Sequence, residues 1–212
     1  MKLLIFSYPR HFHIMQLAYK HALTVFENID KVYIMWDDLY QANRLADKIP
    51  QYLPDVSIIP YSNLEHARNE PSGWLRQQYI KLNLHKLFDD NEWIILDADT
   101  ILRSKKILKV DNKRLVYTDE LDHYQPYYDF IEHAFDIRKE NLPSFMSHFA
   151  LFERDVLESM EMFCLKKHNK DLISLFKEFY KNNPLPGMCS PLSEFETYGL
   201  FASKIMKREF QH

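Results

Sequence analysis

Trp93-Ile94-Ile95-Leu96-Asp97-Ala98-Asp99-Thr100 is a short run of apolar, β-favouring residues that ends on two carboxylates spaced i and i+2. A continuous apolar run of this length reads as a strand buried on both faces, as in a parallel sheet covered by helices. In extended backbone, residues two apart point to the same side, so Asp97 and Asp99 are expected to project together from the strand's carboxyl end. Open α/β sheets bind their ligands at that end of their strands. Two hard oxygen donors there suit Mg2+ or Mn2+, with the ion's other positions left for water and phosphate oxygens. The plainer alternative is that a strand-ending Asp forms a turn or caps a helix, and the rest of the chain has to decide between them.

The chain has 212 residues, enough for one domain with a substantial core. Hydrophobic residues make up 46% and charged residues 27%, an ordinary globular composition. Glycine is scarce at 3 residues, and neither G-x-G-x-x-G nor G-x-x-x-x-G-K occurs. That excludes the usual phosphate-cradling devices of Rossmann dinucleotide binders and P-loop NTPases. A net charge of −3, from 27 basic and 30 acidic residues, gives no global sign of nucleic-acid binding. The opening run Leu3 to Phe6 is too short for a secretory signal, and no stretch approaches the ~18 apolar residues of a membrane span. Cys164 and Cys189 lack metal-ligand spacing and read as free thiols of a reducing compartment. A soluble, cytoplasmic protein is expected.

Upstream of the quoted stretch, Lys2–Ser7 reads as a first strand, followed by a helix in which Ile14, Leu17, Ala18, His21, Ala22 and Val25 recur at helical spacing. Lys31–Trp36 is a second strand closed by Asp37-Asp38, a polar helix over Leu39–Lys48 follows, and Val56–Pro60 is a third strand. This alternation predicts a mostly parallel sheet. Trp74–Phe88 reads as one helix with Gln77, Lys81 and His85 on a polar stripe and Trp74 in the core. Downstream, Arg114–Thr118 is a predicted fifth strand ended by Asp119-Glu120. Residues 121–142 read as an irregular, partly helical insertion rich in aromatics (Tyr124, Tyr127, Tyr128, Phe130), and Ser144–Phe152 as a strand. Helices are predicted over Asp155–Cys164, Lys170–Asn182 and Ser193–Phe210, the last with a capping-box pattern, Ser193-x-x-Glu196. Pro184 to Gly187 reads as a loop.

Several segments together resemble a family. Ser72-Gly73-Trp74-Leu75-Arg76-Gln77-Gln78-Tyr79-Ile80-Lys81-Leu82, leading into Leu96-Asp97-Ala98-Asp99-Thr100, is similar to nucleotide-sugar-dependent glycosyltransferases of the GT-A fold, and within them to a group of small bacterial and phage proteins. Ser144 to Phe149 and Ser193-Glu194-Phe195-Glu196-Thr197-Tyr198-Gly199 also resemble that group's pattern. The resemblance implies an α/β, GT-A-like fold: a mostly parallel (mixed) central sheet flanked by helices, with a Rossmann-like nucleotide-binding half. It implies a single domain over 1–212, with 1–120 binding the nucleotide sugar and 121–212 on the acceptor side.

The resemblance further implies a metal-dependent transfer of one sugar from a nucleotide-sugar donor, a UDP-sugar first among them, to an acceptor hydroxyl. Asp97 and Asp99 would hold Mn2+ or Mg2+, Asp99 as a direct ligand and Asp97 also through the ribose or a water. A divalent ion stabilises the charge developing on the leaving diphosphate. His148 is the expected third ligand, neutral imidazole being suited to Mn2+; among Phe145, Met146, Phe149 and Phe152 it also reads as a core histidine. By position Ser7, Tyr8 and Arg10 would cradle the nucleoside, with Asp37 or Asp38 accepting from base or ribose, or else capping the next helix. Arg76 and Lys81 are the basic candidates for the diphosphate, about 140° apart around a helix, and Gly73 is placed with the donor or simply as a turn. For the acceptor proton Glu194 ranks first and Asp119 second; Glu194 also suits the helix dipole, and Glu196 is explained as the capping-box partner of Ser193.

Two other classes stay open. A nucleotidyltransferase shares an Asp-rich metal site, but Ser7-Tyr8-Pro9-Arg10 is not its usual glycine-rich loop. A non-catalytic nucleotide- or sugar-binding module of the same fold is the third reading. A glycan is the expected acceptor, since Tyr124 to Phe130 offers flat faces for stacking if it is not core. A modified base in DNA is the alternative acceptor, and the net charge gives it no support.

Overall fold

In a computed structural model, β1 (Lys2–Ser7), β2 (Lys31–Trp36), β3 (Asp55–Pro60) and β4 (Glu92–Asp97) form the heart of a five-stranded sheet. The structure describes residues 1–8, 11–36, 55–60, 64, 73–105, 107–110, 113–115, 123–140, 144–185 and 190–211. The sheet order is β3-β2-β1-β4-β7, with β7 at Phe149–Glu153. β1 is parallel to both β2 and β4, and β2 to β3. Leu3 to Phe6 of β1 and Trp93 to Leu96 of β4 are buried throughout, as central parallel strands require.

The chain winds outward from β1 through β2 to β3, then returns to the other side of β1 to form β4. The strand order therefore reverses between β1 and β4, the place where open α/β sheets leave a crevice at their carboxyl ends. Helix α1 (Phe12–Val25) buries Met15, Ala18, Tyr19, Ala22 and Val25 in one cluster with Leu3, Ile5, Val32, Ile34, Trp36, Ile94 and Leu96. That is the expected stripe of an amphipathic helix laid on a sheet.

Two compact units are present: Met1–Ile80 with Glu92–Leu108 and His148–Phe152, and Lys81–Asn91 with Lys109–Ser147 and Glu153–His212. The chain passes between them several times, so the sequence halves 1–120 and 121–212 do not map one to one onto them. The second unit holds α4 (Gln125–Phe135), α5 (Arg154–His168), α6 (Leu172–Asn182) and α7 (Glu194–Lys204). It also holds a small sheet, β5 (Lys109–Val110), β6 (Lys113–Leu115) and β8 (Phe210–Gln211). Edge-to-face rings build its core: Phe130 on Phe176 at 5.3 Å and Phe135 on Phe201 at 4.9 Å.

Several expectations change. The helix predicted over Trp74–Phe88 is two, α2 (Gly73–Leu82) and α3 (Leu84–Leu87), broken at Asn83, whose backbone leaves helical values; Asn competes poorly for a helix interior. Trp74 is 41% exposed, not core. Residues 125–135 form a regular helix with Pro126 in its first turn. There Tyr128 and Phe130 are buried, so half of the anticipated stacking surface is core. The strand predicted over Ser144–Phe152 begins only at Phe149. The last helix stops at Lys204, and Phe210 joins β6 as a strand instead. The polar helix over Leu39–Lys48 and the end of the predicted fifth strand lie outside the described residues. Among the described residues no helix is long and apolar enough to cross a membrane. Cys164 is a free thiol, fully buried, its pKa pushed up to about 12 by burial, which leaves it unreactive; Cys189 lies outside the described residues.

Candidate functional site

In the first unit the site forms where β1 and β4 end side by side. Asp97 is the last residue of β4 and pairs in register with Phe6, so Ser7 and Tyr8 emerge next to it. A tight turn follows at once, Thr100 N–H donating to the Asp97 carbonyl at 3.1 Å. Asp99 therefore sits in a turn beyond the strand, exposed, and the two-residue alternation that was expected to align it with Asp97 does not extend that far. Asp97 N–H donates to the His148 carbonyl at 3.0 Å, which brings the residue before β7 against the end of β4.

The His148 imidazole reaches the same carboxylate. Its Nδ1 lies 3.8 Å from Asp97 Oδ2, an ion-pair distance rather than a hydrogen bond. The His148 side chain is 79% exposed and stands in a bend before the strand, which overturns its reading as a core histidine within a strand. The Asp97 carboxylate holds the imidazole above its usual pKa of 6.5, with Asp99 adding at longer range and partial burial opposing. Asp97, Asp99 and His148 are thus brought into one neighbourhood, although no group of three metal-capable side chains is already gathered around one point among the described residues.

The other donor-side candidates divide. Ser7 is buried at the end of β1, and Tyr8 follows, its hydroxyl accepting from Gln77 Nε2 at 2.5 Å. Gln77 carries α2 across the carboxyl end of β1, a tie that the polar stripe on this helix hinted at without naming its partner. Gly73 opens α2, and Arg76 is half-buried on it. Arg10, Asp37 and Asp38 lie outside the described residues, as does Asp119.

In the second unit, Lys81 and Glu194 find each other. Lys81 Nζ is 2.7 Å from Glu194 Oε1, both side chains are buried, and the ammonium also lies 4.8 Å from the Phe195 ring centroid. The two residues, expected at the diphosphate and at the acceptor proton, are joined here in a buried ion pair.

Glu196 is the residue that sequence reasoning missed. Ser193 does cap α7, accepting from Glu196 N–H at 3.3 Å, but the Glu196 carboxylate does not reach back to complete the box. Fully buried, its Oε1 accepts from Ser144 Oγ, from Phe145 N–H at 3.1 Å and from Tyr128 O–H at 3.1 Å, with Lys139 at 3.7 Å. Burial nonetheless pushes its pKa up, the hydrogen bonds only partly opposing. Gly199, one turn on, lets the Phe145 ring lie against the helix: a Cβ there would collide with the Phe145 ring. Ser193 Oγ also contacts Met146 Sδ at 2.9 Å. The motif Ser193-x-x-Glu196-x-x-Gly199 is a clamp for Ser144–Met146, and it explains why that segment is not a strand. Its backbone groups are already taken, Phe145 N–H by Glu196 and Met146 N–H by Ser144 Oγ.

Residues 11–209 match a family described as a family of unknown function, DUF6492. The chain belongs to DUF6492. Among curated protein sequences none matches it. Of solved structures, an active-site mutant of LgtC is similar over 95% of this chain and 70% of its own, at a TM-score of 0.58 and 16% identity. The galactosyltransferase LgtC in complex with donor and acceptor sugar analogues gives a TM-score of 0.48 at 12% identity, over 85% of this chain and 70% of its own. At such identities the likeness concerns fold, and this DUF6492 chain has the mixed α/β, GT-A-like fold of those glycosyltransferases.

Proposed function

We propose that this protein is a metal-dependent glycosyltransferase that moves a sugar from a nucleotide-sugar donor to an acceptor hydroxyl. One observation carries the reading. Asp97 ends β4 beside the end of β1, at the point where the strand order reverses, and His148 is brought to its carboxylate from the bend just before β7. A carboxylate and an imidazole converging at a switch point suit a divalent ion and a nucleotide diphosphate. The likeness in fold to glycosyltransferases supports the same reading.

The donor set fits Mn2+ or Mg2+: Asp97 and Asp99 would supply hard oxygens and His148 a borderline nitrogen. Such an ion would contribute charge stabilisation to the departing diphosphate. Around it, Ser7 and Tyr8 would border the nucleoside, Gln77 would keep the Tyr8 ring in place, and Arg76, in the first half of α2, would serve the diphosphate. Glu194 is tied to Lys81 and is assigned to the fold rather than to the acceptor proton. A UDP-sugar and a glycan are the first donor and acceptor to try.

The test is turnover. Nucleoside diphosphate release from UDP-, GDP- and dTDP-sugars, and CMP release from a CMP-sugar, would be measured with Mn2+, Mg2+ and chelator. Release from one donor that stops with chelator supports the reading. Pyrophosphate formation or consumption instead would move the protein to the nucleotidyltransferases, and binding without any turnover to a non-catalytic module.

A further inference from the structure

Trp74 and Gln78 lie four residues apart on α2, so they share one face of the helix with Cβ atoms roughly 5–6 Å apart. Their surroundings are opposite. Trp74 is 41% exposed, whereas the chain's other two tryptophans, Trp36 and Trp93, are 2% and 0% exposed. Gln78 is 1% exposed, yet neither its Oε1 nor its Nε2 has a hydrogen-bond partner among the described residues. A buried polar group left unsatisfied is costly, and a carboxamide with both ends unmet is rare. Its neighbour Gln77 shows the contrast: that amide donates to Tyr8 and belongs to the fold. The pair Gln77-Gln78 thus contains one amide that the fold uses and one that it does not.

We propose that Trp74 and Gln78 form a subsite for a pyranose ring. A carboxamide offers an acceptor and two donors side by side, which matches adjacent sugar hydroxyls, each able to donate and accept. The indole supplies a flat apolar face with a polar edge, suited to the C–H face of the same ring. Neither side chain is charged, and a phosphate would call for the cationic, bidentate donors that this pair lacks. The inference rests on the glycosyl-transfer reading and says which part of a substrate this helix face takes: the sugar, not the diphosphate.

The test exploits the tryptophan distribution. Acrylamide quenching of tryptophan fluorescence reads Trp74 almost alone, because Trp36 and Trp93 are buried. The probes are the methyl glycosides of glucose, galactose, mannose and N-acetylglucosamine at millimolar concentration, with no nucleotide and no divalent ion. At least one is expected to shield Trp74, lowering the quenching constant toward that of Trp74→Phe. Gln78→Leu is expected to lose that shielding while its melting temperature holds or rises, since the substitution removes a buried amide without partners. Absence of shielding by every glycoside overturns the proposal. So does shielding that survives in Gln78→Leu, or a Gln78→Leu melting temperature that falls, which would mean the amide is satisfied within the fold. Because nucleotide and metal are absent, shielding here with no metal-dependent nucleotide binding elsewhere would keep this inference and remove the glycosyltransferase reading.

Discussion

Glu194→Ala would leave the Lys81 ammonium buried without its carboxylate. The two groups are 2.7 Å apart and their side chains only 4% and 8% exposed, so water cannot readily replace the missing partner. Breaking such a pair from one side costs about 3–5 kcal/mol. For a chain of this size each kcal/mol moves the melting temperature by roughly 2–4 °C, so a fall of roughly 6–20 °C is expected on the same scale. Lys81→Met should cost a similar amount by stranding Glu194. The double variant Lys81→Met/Glu194→Leu replaces both charges with apolar groups of comparable size, and it should recover to within about 2 kcal/mol of the parent, because removing a whole buried pair is often close to neutral. Urea denaturation of the four proteins gives the coupling directly. Additive losses would mean that the charges do not depend on each other, contrary to a buried pair. A double variant that is folded but has lost turnover would return Glu194 to the chemistry.

Three further outcomes follow from the geometry. Gly199→Ala places a methyl group against the Phe145 ring and is expected to destabilise by about 1–3 kcal/mol despite alanine's better helix propensity; an unchanged urea midpoint would mean that Phe145 is not seated there. Glu196 has a raised pKa in the folded state, so its contribution to stability is fully present below the ordinary glutamate range and is lost as pH rises through the folded value. The stability difference between wild type and Glu196→Gln should therefore change across that window, and a pH-independent difference would contradict the burial argument. His148, followed by NMR, should titrate above 6.5 and move back down in Asp97→Asn; an unmoved titration would show that the two side chains do not meet.

The sheet was legible because it is written in continuous apolar runs. Leu3 to Phe6 and Trp93 to Leu96 are buried throughout in strands paired in parallel, and no tertiary contact redirects them. Asp97 was legible for the same reason, since a carboxylate that closes such a run marks the carboxyl end of the sheet. What local pattern could not show is where a side chain finds a partner far along the chain. Glu196 satisfies a capping-box spacing, but Ser144, Phe145 and Tyr128 compete for its carboxylate and win. The alternation in Ser144–Phe152 looks like a strand until those same contacts take up the backbone of its first half. Lys81 and Glu194 each looked available because neither helix, read alone, reveals the other. Gln78 carried no signal beyond its place in the Gln77-Gln78 pair; only its burial without partners singles it out.

In the proposed reading, Asp97 and Asp99 hold a divalent ion through which a nucleotide diphosphate binds. Isothermal titration of UDP into the protein, with Mn2+ and with chelator, for wild type, Asp97→Ala and Asp99→Ala, tests this at the site itself. The side chains of both residues lie outside the apolar core, so the variants should stay folded with unchanged circular dichroism. Binding that requires Mn2+ in wild type and disappears in both variants is the predicted result. Binding that is indifferent to the metal, or that persists in folded Asp97→Ala and Asp99→Ala proteins, would contradict it.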